Sequence, residues 1–392
     1  MTMSEVFNDV LLADPHSGYA KMREAGRVHQ ATTPDGEPVW VVARYEDVRK
    51  ALADNRLSLN KVNARTRGNY QSSMPPELDA HLLNMDAPDH TRLRRLVSKA
   101  FTPRRIEALR DRVHSLTKDL LDTVHGPQFD IMATLANPLP MNVICELLGI
   151  PSGSRGDFRD WTNLLISPTP GAVESSRSAM RSMHKFLVAV INDKRRCPTD
   201  DLLSAMIESR DEHEHLSESE LVAMAFLILF AGYENSTHLI GNATVGLLLH
   251  PEHLAAVREG RTSVRAVVEE TLRWNSPFPL GVRRFALEDL VIGGVEIPAG
   301  GRVWVSLISA NHDERLFESP RDFDPSRTPA HLAFGRGIHY CLGAPLARLE
   351  AEVAITSLLD RWPHLQLSVS VEQLEWWQSF HKRGLLALPV TA

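Results

Sequence analysis

Cys341 has the surroundings that chemistry needs. It lies in HLAFGRGIHYCLGAPLARLE, residues 331 to 350, where a loop carrying Gly335 and Gly337 runs into the sulfur and then directly into a helix. These glycines can take φ values that a side chain forbids, and Gly343 follows closely, so main-chain N–H groups are expected to turn towards the sulfur. Leu342, Leu346, Leu349 and Val353 fall on one helical face, and Pro345 sits in the first turn, where a missing N–H costs little. Cys341 is thus expected at a helix N-terminus, a position that favours thiolate over thiol through the helix dipole and unpaired N–H groups.

A lone cysteine is ordinarily a small buried hydrophobe. Without a CxxC partner it is a poor zinc ligand, since zinc takes three or four protein ligands, but it suits haem iron, which needs one axial ligand. Phe334, Gly335, Gly337, His339, Cys341 and Gly343 spell F-G-x-G-x-H-x-C-x-G. That pattern resembles the haem-binding signature of the cytochrome P450 monooxygenases. The resemblance implies that Cys341 is the axial ligand of haem b.

Further residues fit the same family. His90 and Arg94 are i and i+4, so they share a helix face, and two adjacent donors suit a carboxylate. Alone they would make an ordinary solvated face; the resemblance implies that they bind a haem propionate. It gives the same role to Arg284, with Arg283 as a rival, and to His339. In AGYENST, Glu234, Asn235, Ser236, Thr237 and His238 interrupt an apolar helix, which is expensive unless they serve chemistry or satisfy one another. A polar face turned to a water channel is the alternative. Ala231, Gly232 and Glu234 match the family's A/G-G-x-D/E-T, the kink that receives oxygen, with Glu234 implied as a proton carrier. Asn235 stands where the family has Thr, and Ser236, rotated about 100° from it, is expected to face away unless the helix kinks. Glu270 and Arg273 match E-x-x-R, implied to pair with Arg327 and to support folding.

The elements that must position these groups read as mainly helical. A short helix near Pro15 to Ala25 leads to a hairpin with Asp35-Gly36 at its turn, then a helix from Tyr45 to Ala53. Residues 54 to 84 show no sustained periodicity and read as a loop; the resemblance makes it a lid over the haem. Helices follow from Pro88 to about Arg210, with a Pro/Gly hinge in SPTPG after Ile166. The longest helix spans 217 to 249, entered by a capping box of Ser217 and Glu220. Short strands with Gly293-Gly294 and Gly300-Gly301 turns follow, and WWQSFHKRGLLALPV reads as strand.

The 392 residues, 43% hydrophobic, suffice for one domain of two unequal lobes over 1–392, mainly α with small β-sheets. A net charge of −6 argues against nucleic acid. MTMSEVFNDV is no signal peptide, and the longest apolar run, Val222 to Gly232, is too short for a bilayer, so a cytoplasmic protein without membrane contact is expected. Three cysteines, Cys145, Cys197 and Cys341, fit a reducing compartment. Arg92, Arg95, Lys99, Arg104 and Arg105 form a local basic patch, either plain surface charge or a docking site for an acidic electron donor.

The resemblance implies a monooxygenase that inserts one oxygen atom from O₂ into a hydrophobic small molecule, by hydroxylation or epoxidation. Electrons would come from NAD(P)H through a ferredoxin or flavodoxin and its reductase. By analogy with soluble bacterial members, the substrate is expected to be a polyketide or macrolide of secondary metabolite or antibiotic biosynthesis. Asn235 keeps open a peroxide-driven, coupling or isomerising enzyme, and a non-catalytic haem sensor is the alternative of another class.

Overall fold

The computed structural model describes all residues except 1–6, 8–10, 13, 34–35, 65–74, 167–172, 212–213 and 329. The helices that position the site are α1 (Asp89–Ala100), α2 (Pro138–Leu147), α3 (Val173–Arg196), α4 (Glu218–Leu249), α5 (Val264–Trp274) and α6 (Ala344–Arg361). α4 is the central one. It opens on the expected capping box, in which Glu220 N–H donates to Ser217 Oγ at 3.3 Å and Ser217 N–H donates to Glu220 Oε2 at 2.9 Å. Its sequence is apolar nearly all round, and such a helix is stable only when covered on every side. α2, α3, α5 and α6 supply that cover. The helix expected over 217 to 249 forms as Glu218–Leu249 with Ser217 as its N-cap, and it runs unbroken through the polar stretch Glu234 to His238.

A five-stranded sheet lies beside the helices. Its strands are β1 (Val28–Thr32), β2 (Pro38–Val42), β3 (Leu57–Ser58), β4 (Arg284–Ala286) and β5 (Arg302–Val305), in the order β1-β2-β5-β4-β3. β1 pairs antiparallel with β2, Gln30 opposite Trp40, and β5 runs parallel to β2. Arg284 is fixed opposite Val303, so strand register sets where its side chain emerges. Gln366–Leu367, Pro389–Thr391 and Gln128–Asp130 form a smaller sheet.

The helix Pro15–Ala25 forms as the sequence predicts, with Asp14 accepting from Ser17 N–H at its start. Asp35 and the SPTPG hinge lie outside the described residues; Gly36 takes φ 83°. The segment 54–84 is more ordered than its composition suggests. It contains β3, 3-10 turns at 61–63 and 82–84, and the one-turn helix Pro76–Asp79, while 65–74 lie outside the described residues. Among the described residues, no helix is long and apolar enough to cross a membrane.

Candidate functional site

The cysteine loop is built by backbone closure. Leu332 N–H donates to Asn311 Oδ1 at 2.8 Å, Gly335 N–H to Leu332 O at 2.8 Å, and Cys341 N–H to Phe334 O at 2.9 Å. Gly335 and Gly337 take φ 71° and 75°, conformations that favour glycine. At Gly337 space adds a second reason, because a Cβ would lie 3.2 Å from both Ala53 Cα and Leu52 O. α6 begins at Ala344, with Pro345 in its first turn, so Leu342 precedes the helix.

Two clamps on α5 hold this loop and the segment that leads into it. Glu269 accepts from His331 Nε2 and Arg348 Nη2, each at 3.0 Å, and Arg348 lies 4.5 Å over the Phe334 ring. Burial alone would raise the Glu269 carboxyl, but its hydrogen bonds to His331 and Arg348 hold it at about 2. In the second clamp, Arg273 Nη2 and Nε donate to the two oxygens of buried Glu270 at 2.6 and 2.8 Å. Arg273 also reaches the carbonyls of Asn311, Pro320 and Asp322, and Arg327 Nε stands 3.8 Å from Glu270. E-x-x-R spacing announces the second clamp; nothing local announces Glu269, whose partners lie 62 and 79 positions away.

Cys341 faces a cavity of about 590 Å³. The expectation that the helix start alone favours a thiolate is not met. Cys341 is exposed to the cavity, but the protein packed around it raises the thiol by desolvation, against the pull of the Gly343 and Ala344 N–H groups, Arg94 and Arg348. A coordinating metal ionises a thiol outright, so ligation rather than the cradle would supply the charge. Among the described residues, no group of three or more His, Cys, Asp or Glu is placed to hold a metal ion. A group needing one axial sulfur therefore fits, and a bare ion does not.

His90, Arg94, Arg284, His339, Cys341, Glu234, Asn235 and Ser236 all line this one cavity. The His90 and His339 rings are 4.2 Å apart, and both nitrogens of His90 and Nδ1 of His339 are buried without a partner among the described residues. Burial, reinforced by Arg94, pushes His90 down to about 4; burial, His90, Arg284 and Arg94 push His339 down to about 3. Arg284, 4% exposed, donates to Val282 O at 3.1 Å, and burial lowers it to about 10. No carboxylate among the described residues pairs with Arg94 or Arg284. Buried cations without anions are costly, so this cluster suits a ligand that brings carboxylates with it, as haem does. Arg283 turns elsewhere, donating to Asn84 Oδ1 at 3.2 Å.

From α4 the cavity is lined by Ala231, Gly232, Glu234, Asn235 and Ser236. At Gly232 a Cβ would fall 2.9 Å from Ile144 Cδ1, so glycine lets α2 approach. Glu234 accepts from Lys382 Nζ at 3.0 Å, and His238 Nε2 lies 3.8 Å away. Burial would raise this carboxyl, but His238 and Lys382 together lower it. The Asn235 carboxamide makes no hydrogen bond among the described residues. Ser236 was expected to face away, yet it reaches the cavity wall, beside the fully buried Glu350. Burial pushes Glu350 up to about 8, with Ser236 pulling the other way.

Ser379, His381 and Lys382 also line the cavity, and the sequence reading missed them. It made their segment a strand, but only a Trp376–Leu385 bridge and Pro389–Thr391 pair there, and the residues between form a loop. The polar SFHKRG between apolar runs was the available turn signal. Within the basic patch Arg92 is tied to Glu220 and Arg105 to Asp200. Arg95, Lys99 and Arg104 are exposed.

Comparison with known proteins agrees with this geometry. Residues 150–383 match the family described as Cytochrome P450. The chain is 43% identical to "Cytochrome P450 107B1" of Saccharopolyspora erythraea, covering 100% of this chain and 99% of the relative. It is 42% identical to "Cytochrome P450 monooxygenase PikC" of Streptomyces venezuelae, covering 96% and 91%. The solved structure of PksS, a cytochrome P450 of the bacillaene polyketide synthase of Bacillus subtilis, superposes with a TM-score of 0.93 at 36% identity, covering 99% of both chains.

Proposed function

The chain belongs to the cytochrome P450 family, and from that membership we propose a haem-thiolate monooxygenase that hydroxylates or epoxidises a hydrophobic polyketide or macrolide. Membership implies haem iron; we read it as haem b, which Cys341 would ligate and whose propionates His90, Arg94, Arg284 and His339 would hold. The observation that carries the reading is that lone sulfur facing the same cavity as four basic groups without acidic partners. When bound, the haem supplies reductive activation of O₂. The remaining work falls to side chains. The apolar walls, among them Leu59, Leu82, Leu227, Ile228 and Phe230, orient an apolar substrate and exclude water. Glu234 carries protons to the cavity. Asn235 orders water through a carboxamide that has no readily ionised proton.

Substrate class is supported by likeness to the polyketide-associated PksS. Electrons would come from NAD(P)H through a ferredoxin or flavodoxin and its reductase, docking at Arg95, Lys99 and Arg104. We read residues 1–392 as one domain working in the cytoplasm, in keeping with three free cysteines. Asn235 favours a second reading, a peroxide-driven enzyme. Turnover of a candidate macrolide under ¹⁸O₂ separates the two. The first reading predicts one ¹⁸O and one NAD(P)H per product; turnover with peroxide and no label from O₂ would support the second.

A further inference from the structure

One face of α4 carries Glu234, His238 and Asn242 at i, i+4 and i+8, and all three meet the same C-terminal residues, 382–384. Glu234 Oε1 accepts from Lys382 Nζ at 3.0 Å, and Asn242 Nδ2 donates to Arg383 O at 3.0 Å and to Asn275 O at 2.9 Å. Between them, the His238 ring packs under Gly384, where a Cβ would fall 2.0 Å from Nδ1. Glycine at 384 is therefore a requirement of the histidine.

His238 is 3% exposed, and neither ring nitrogen has a hydrogen-bond partner among the described residues. An imidazole so placed costs more than an apolar side chain of similar size, unless its charge is used. Its Nε2 lies 3.8 Å from Glu234 Oε1, ion-pair distance when the ring is protonated. The other charged groups nearby come from the C-terminal segment. Lys382 sits on Glu234 and 4.0 Å over Trp377; Arg383 turns away, with Nε to Asn275 Oδ1 at 3.3 Å and its guanidinium 3.9 Å over Trp376. His381 lines the same cavity.

We propose that His238 is a positioning residue for Glu234, holding the carboxylate at the cavity wall opposite Lys382 and restoring the proton that Glu234 gives up. In that step the ring and carboxylate close from 3.8 Å to hydrogen-bonding distance and one proton passes from imidazolium Nε2 to Oε1, leaving a neutral ring and a neutral carboxyl. Glu234 then protonates an acceptor in the cavity, and the ring regains a proton from solvent. The catalytic consequence rests on the function proposed above; the juxtaposition does not.

The test uses holoenzyme. In the reduced carbon-monoxide complex, the His238 ring resonances are titrated in wild type and Glu234→Gln; the midpoint should fall by about one pH unit, roughly tenfold in proton affinity, when the carboxylate is neutralised. Product formed per NAD(P)H should decline in wild type as pH rises through that midpoint. The decline should vanish in His238→Gln at equal haem content and persist in Lys382→Met. A midpoint unchanged in Glu234→Gln, or an identical pH limb in His238→Gln, would overturn the proposal. Loss of the thiolate-type spectrum would instead strike at the function, leaving the ring titration to stand alone.

Discussion

Arg94 and His339 have no acidic partner among the described residues, and that fixes what their loss should do. A propionate deprived of either keeps its charge and loses a charge-assisted hydrogen bond worth about 1.5–3 kcal/mol. Haem should leave Arg94→Ala and His339→Ala roughly ten- to a hundredfold faster, measured by transfer to an apoglobin acceptor. Arg284→Ala should behave likewise and Arg283→Ala should not, since Arg283 faces Asn84; wild-type rates in all of them would remove these assignments. At position 235 a carboxamide stands where the family has a hydroxyl, so the substrate is expected to bring a hydroxyl or carbonyl near its oxidised carbon. A deoxy analogue should then release peroxide, partly corrected in Asn235→Thr, with little loss in Ser236→Ala; tight coupling with the analogue in wild type would refute substrate assistance. These residues were legible in the sequence because each lies in a short motif of fixed spacing. Lys382, His381 and Glu269 were not, because they join the site only through contacts between distant elements.

The cysteine loop depends on neighbours that fix its shape. Gly337 takes φ 75° with backbone 3.2 Å from where a Cβ would be, so Gly337→Ala should cost about 1–3 kcal/mol and lower haem content. Glu270→Gln leaves Arg273 buried without its counter-charge, and such a break costs about 3–5 kcal/mol. Urea denaturation followed by ellipticity measures both, and wild-type midpoints would show that neither element is under this constraint. Helices, strand turns and the capping box could be read from periodicity and glycine placement. The C-terminal stretch was misread because its aromatic residues have high strand propensity, while Lys382 and Arg383 bind Glu234 and Asn275 and hold it as a loop.

Across the whole molecule, buried titratable groups set how stability changes with pH. Burial holds His16 and His81 down at about 4 and His312 well below its ordinary value. Unfolded, each takes a proton near pH 6.5, so below that pH the unfolded chain binds more protons and stability falls as pH falls towards about 4. Glu350 acts in the opposite sense. Its folded carboxyl keeps a proton up to about 8, whereas the unfolded one loses it near 4.5, so its contribution declines as pH rises between them. Thermal melts of holoenzyme should therefore flatten above about pH 6.5 in Glu350→Gln and rise more steeply between about 4.5 and 6.5, where the Glu350 and histidine contributions oppose each other; an unaltered slope above 6.5 would show that Glu350 is not held neutral. Such effects cannot be read from composition, because they depend on which histidines and carboxyls the fold closes over.

The central claim is that Cys341 ligates haem iron as a thiolate although desolvation raises its free thiol. The most direct measurement is the absorption spectrum of the reduced carbon-monoxide complex. Wild type, Cys145→Ala and Cys197→Ser should all show the red-shifted Soret band of thiolate ligation, and Cys341→Ala should lack it. An unshifted band in freshly prepared wild-type protein, or a shifted one in Cys341→Ala, would contradict the account.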